Sequence, residues 1–122
     1  MAALVDVGPN GVWAENVLAS GLLHAPEPAC AEATNILRRL ERAKIITTAE
    51  ANGAQDDLMR LDIELFPFEP FAARIWELRH NVTSYDAWYI SLAEALRVPM
   101  ATLDERLRKS SGVACQFLTP KR

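Results

Sequence analysis

Three acidic residues and one hydroxyl stand where a folded chain could use them for chemistry. Asp86 falls in the first turn of an apolar helical run, residues 83–96 (TSYDAWYISLAEAL), three positions after Thr83. That spacing resembles a capping box, with Thr83 accepting from an N–H of the first turn. Asp104 follows the stretch 98–102 (VPMAT), which reads as a short strand with Pro99 near its start, where a missing N–H is tolerated. The carboxyl end of a strand is the edge where open α/β sheets place their sites. A buried helix carrying Asp86 at its start and a strand delivering Asp104 would aim two carboxylates at one place. Each also has a structural explanation: Asp86 complements the helix dipole, and Asp104 caps a helix over residues 105–109.

Glu32 is the third acid. It lies in a helix expected over residues 29–44, where Ala29, Ala33, Ile36, Leu37 and Leu40 form the inward stripe. Glu32 is one turn before Ile36, at the edge of that stripe. A carboxylate there is costly unless a cleft solvates it, a cation pairs with it or a metal binds it. Arg39, seven residues on and on the same side, is the competing partner.

The elements that must hold these groups follow from periodicity. A short strand is expected over residues 22–25, stopped by Pro26 and Pro28, and a helix capped by Thr47 runs to about Arg60. Residues 63–66 read as a strand ended by Pro67, and Glu69-Pro70 opens a helix whose core face is Phe71, Ile75 and Leu78, with Trp76 flanking it. His80-Asn81 closes that helix and leads into Thr83. In the following helix Tyr85, Trp88, Tyr89, Leu92, Ala95 and Leu96 recur at three- and four-residue steps, with Ile90 and Ala93 filling another side, so most of it should be buried. Residues 115–118 read as an edge strand, and a helix starts near Asn10 or Gly11. Short apolar strands near residues 22, 63, 98 and 115, alternating with about six helices, argue for a single α/β domain over residues 1–122 with a largely parallel sheet.

The bulk numbers exclude some functions. A chain of 122 residues, half of them hydrophobic, suffices for one core and is short for two. The net charge of −3 gives no global attraction to nucleic acid, so such binding needs a local basic patch. The two cysteines, Cys30 and Cys115, fit no metal or redox spacing and read as buried thiols of a reducing cytoplasm. No apolar run approaches the ~20 residues of a membrane span, and the amino terminus does not read as a signal peptide.

Taken together, APEPACAEATNILRRL (25–40), WELRHNVTSYDAWYISLAEAL (76–96) and VPMATLDERL (98–107) resemble the PIN-domain ribonuclease toxins of the VapC family over roughly residues 11–118. The resemblance implies a three-layer α/β fold with a mostly parallel central sheet flanked by helices. It implies an endoribonuclease of a toxin–antitoxin system that uses Mg²⁺ or Mn²⁺, forms a homodimer and is silenced by a VapB-type antitoxin in the cytoplasm. By position, the family's acids fall on Glu32, Asp86 and Asp104, and the hydroxyl that orients a carboxylate or water falls on Thr83. Mg²⁺ takes oxygen ligands and needs only a few carboxylates beside a substrate phosphate. Candidates for guiding the RNA backbone are Arg38, Arg39, Arg106, Arg108 and Lys109, whose default role is solvated surface charge.

The family's first strand, which ends in a further aspartate, is the point of departure. Residues 2–5 correspond to the helix after that aspartate, and Asp6 falls at the helix's far end, so the strand and its acid are expected to be missing from this sequence. That leaves an alternative to the nuclease: a catalytically inactive module of the same fold that dimerises and binds an antitoxin. A receiver-like phosphoacceptor would need an acidic pair and an acceptor Asp after early strands, and neither is found.

Overall fold

The computed structural model describes residues 22–101, 107 and 109–118. The expected elements near residues 1–20, the site candidate Asp104, and Arg106 and Arg108 lie outside the described residues. In order, the described elements are β1 (Leu23–Pro26), α1 (Ala29–Arg42), α2 (Thr48–Arg60), β2 (Ile63–Phe66), a 3₁₀ turn (Glu69–Phe71), α3 (Ala72–Glu77), α4 (Ser84–Leu96), β3 (Met100–Ala101) and β4 (Phe117–Leu118). The chain divides into two compact units, one containing Pro28–Glu64 and the other His24–Glu27 with residues 65 onward.

In the first unit, α1 and α2 pack on each other around Leu37, Ile46 and Ala54, with Leu40 and Ala51 against them. The start of α2 is fixed by a complete capping box. Thr47 Oγ1 accepts the Glu50 N–H at 3.0 Å, and the Glu50 carboxylate accepts the Thr47 N–H at 2.9 Å. Thr34 Oγ1 on α1 bonds Gln55 Oε1 on α2 at 3.0 Å.

The second unit is built on α4. Ala87 and Ile90 pack with Ile75, Leu78 and Leu107 as a buried cluster, flanked by Phe71, Val82, Trp88 and Phe117. The inward face agrees with expectation at Leu92, Ile90 and Ala93 and differs at Tyr85, Ala87 and Ser91. Ala87, Ile90, Ser91, Leu92 and Ala93 are buried, whereas Tyr85 is 60% exposed. A helix that is apolar nearly all round does not declare its inward side by periodicity. The small Ala87 and Ser91 let neighbours approach closely, and Ser91 satisfies its buried hydroxyl on the Ala87 carbonyl at 2.6 Å. Ahead of α4, the helix expected to open at Glu69-Pro70 begins as a 3₁₀ turn, and Trp76 is exposed.

Pairing is parallel in both described sheets. Leu23 donates to the Asp62 carbonyl and Glu27 to the Phe66 carbonyl, each at 2.9 Å, so β1 and β2 advance in step. β3 pairs with β4 in the register Met100 to Phe117 and Ala101 to Leu118. The strands are shorter than expected: β4 starts at Phe117 rather than Cys115, and β3 at Met100 rather than Val98. Pro99 has no N–H to donate, which fits a ladder that opens one residue later.

Candidate active site

Asp86 sits in the first turn of α4, and its backbone N–H donates to Thr83 Oγ1 at 3.2 Å. This half of the capping pair matches the expectation, but the return bond from the Thr83 N–H to the Asp86 carboxylate is not among the contacts these two described residues make. Thr47 and Glu50 hold the same helix positions in α2 and close both bonds. The difference follows from side-chain length, since the reciprocal bond is a property of Glu and Gln, and Asp is one methylene shorter. Asp86 is thus half-buried at a helix start, where the dipole favours an anion, with its carboxylate unused by the cap.

Asp86 and Thr83 line an open cleft of about 600 Å³ together with Arg79, His80, Asn81 and Ser110, over Val82 and Leu107. Asn81 and the turn after Ser110 are held by further contacts. Asn81 Nδ2 donates to the Ser111 carbonyl at 2.9 Å, and Gly112 follows with φ of +78°, a turn conformation that an L side chain resists. Arg74 Nε and Nη2 clasp both oxygens of Glu94 at 2.8 and 3.0 Å, Arg74 also donates to the Gly112 carbonyl, and the Ala114 N–H reaches Glu94 Oε2 at 2.7 Å. The hydrogen bonds from Arg74 hold the Glu94 carboxyl below its ordinary range against the opposing effect of partial burial, and the Ala114 N–H adds to the lowering. Burial pushes the neighbouring Cys115 thiol up, and the Glu94 charge adds to it. Cys30 and Cys115 are free thiols and are half-buried rather than buried.

Glu32 belongs to the first unit, in the first turn of α1. Its Oε1 is buried and accepts no hydrogen bond, and no ion pair to Arg39 is formed among the described residues. The competing explanation of Glu32, a partner seven residues on, is therefore not the arrangement found. Among the described residues, which do not include Asp104, no three His, Cys, Asp or Glu side chains form a metal-holding group. Glu32 Oε1 has no hydrogen-bond partner and the Asp86 carboxylate is not used by the Thr83 cap, and carboxylate oxygens are the donor type that a hard divalent cation takes. Of the basic candidates, Arg38, Arg39 and Lys109 are exposed.

Two features escaped the sequence reading. The Arg74–Glu94 clasp joins residues 20 positions apart and has no local signal. Arg79 at the cleft had one, a Trp76-x-x-Arg79 spacing that stacks the two side chains at a helix end.

Residues 2–112 match the PIN domain family. The chain belongs to the PIN-domain family and, within it, groups with the VapC ribonucleases. It is 36% identical over 116 residues to Ribonuclease VapC1 of Mycobacterium tuberculosis, covering 94% of this chain and 87% of that protein. Ribonuclease VapC9 of the same organism is 34% identical over 115 residues, again 94% of this chain and 87% of that protein. Ribonuclease VapC12 is 31% identical over 104 residues, 85% and 81% respectively. No helix among the described residues is long and apolar enough to cross a membrane.

Proposed function

We propose that the chain is an Mg²⁺- or Mn²⁺-dependent endoribonuclease, the toxin of a type II toxin–antitoxin pair. In this reading Glu32, Asp86 and Asp104 hold the cation, and Thr83 orients the Asp86 carboxylate or a bound water. A divalent ion held by such acids supplies an activated water and offsets charge developing on the scissile phosphate. The protein's part is to fix Glu32 and Asp86 in the first turns of their helices and to present the RNA backbone to the acids. The observation that carries the reading is the Asp86 carboxylate, unused by its helix cap and standing on the wall of an open cleft. The names of the relatives support the ribonuclease class.

The same reading gives the chain a VapB-type antitoxin as partner, a homodimeric state and a cytoplasmic setting. A labelled RNA incubated with the chain in Mn²⁺, Mg²⁺ or EDTA tests it, with Glu32→Gln as the control. Cleavage that needs the ion and is lost in Glu32→Gln supports the proposal. A chain that captures an antitoxin peptide but binds neither metal nor RNA is instead the non-catalytic module.

A further inference from the structure

Arg79 is the one permanent cation among the described residues lining the cleft that holds Asp86. It is exposed yet held. Its guanidinium carbon lies 4.3 Å from the centroid of the Trp76 ring, and Nη1 donates to the Trp76 carbonyl at 2.8 Å. Trp76 is itself 66% exposed, which is unusual for the largest apolar side chain and leaves it serving as a platform for Arg79. An arginine stacked by one face keeps its remaining N–H groups in the plane of the fork, the geometry that matches phosphate oxygens. A free arginine loses side-chain rotamer freedom when it grips an anion, and the Trp76 platform has already removed much of it. From these observations, and resting on the proposed nuclease reading, we infer that Arg79, pre-oriented on Trp76, is a positioning residue that grips a backbone phosphate of single-stranded RNA at the mouth of the Asp86 cleft.

The placement has a chemical reason. Acids that hold a cation repel the RNA backbone until the ion is bound, so a fixed positive group at the cleft edge is needed to seat the strand in register. Trp76 is not assigned to the chemistry; it restricts where the guanidinium points.

The test is binding, read without cleavage. A fluorescent single-stranded oligoribonucleotide is titrated in EDTA, across a salt series, with the 122-residue chain, Arg79→Ala, Arg79→Lys and Trp76→Ala. Each single-strand phosphate contact contributes about 0.7 to the slope of log affinity against log salt. Arg79→Ala is expected to weaken binding about tenfold and to lower the slope by about 0.7. Arg79→Lys should keep the slope, because the charge stays, while losing several-fold in affinity with the fork and the stack. Trp76→Ala should behave like Arg79→Lys. Should Arg79→Ala melt early, the Arg79→Lys pair of slope and affinity decides. Equal affinity and slope for the unmodified chain and the Arg79 variants would overturn the inference while leaving the nuclease reading intact. Absence of any salt-dependent RNA binding by the unmodified chain would overturn both.

Discussion

Asp86 donates its backbone N–H to Thr83 Oγ1 at 3.2 Å and does not return its carboxylate to the Thr83 N–H. The two residues therefore divide two tasks. Thr83 starts the helix, and Asp86 keeps its charge available at the cleft wall, favoured there by the helix dipole.

Replacing each residue separates the tasks. Thr83→Ala removes the cap and should lower metal-free stability by about 1 kcal/mol. Asp86→Asn should cost less than about 1 kcal/mol, the size of a dipole interaction at a surface helix start. Urea unfolding in EDTA reads both, and Mn²⁺ added to the same samples should stabilise Thr83→Ala but not Asp86→Asn. A larger loss from Asp86→Asn than from Thr83→Ala would mean that the carboxylate is structural after all.

Glu32 makes a sharper case, because its Oε1 is buried with no partner. A buried charge without compensation is unfavourable, so Glu32→Gln should leave metal-free stability unchanged or higher. An ion that binds only the folded chain adds about 2.7 kcal/mol at a hundredfold excess over its Kd. That increment should appear for the unmodified chain and vanish for Glu32→Gln in Mn²⁺-dependent thermal melts.

The Arg74–Glu94 clasp makes stability depend on pH in the acid range. Its hydrogen bonds hold Glu94 below the ordinary 4.5 in the folded chain. The clasp thus contributes fully above about pH 4.5, and its contribution fades as pH falls through the lower folded value. Glu94→Gln should lower stability at pH 7 by about 2 kcal/mol, since it leaves Arg74 and the Ala114 N–H short of a charged acceptor. It should also flatten the acid limb of the curve below pH 4.5, measured by chemical unfolding at a series of pH values.

Local signals carried far in this chain. Thr47 and Thr83 were legible as caps because the donor they meet is three residues away, and β2 was legible because Pro67 cuts it off. The inward side of α4 was not, since its surface is apolar in every direction and only its neighbours select Ala87 and Ile90. Nor was the Arg74–Glu94 pairing, or the way Asn81 holds the Ser111 carbonyl, because tertiary contacts between distant positions leave no trace in spacing. At the candidate site the place of Asp86 in the first turn of its helix was legible. That Asp86 and Glu50, alike in helix position, differ in whether the cap uses them follows from a single methylene.

The central claim, that Asp86 serves a metal-dependent cut in RNA, is tested most directly by single-turnover cleavage of a labelled RNA in Mn²⁺. The chain is assayed with and without Asp86→Asn, in Mn²⁺ and in EDTA. Misplacing reacting groups by about 1 Å costs on the order of a hundredfold, so loss of a carboxylate that holds the ion should cost at least that much in rate. Asp86→Asn should abolish the ion-dependent cleavage. Cleavage that persists in Asp86→Asn, or that proceeds equally in EDTA, would contradict the account.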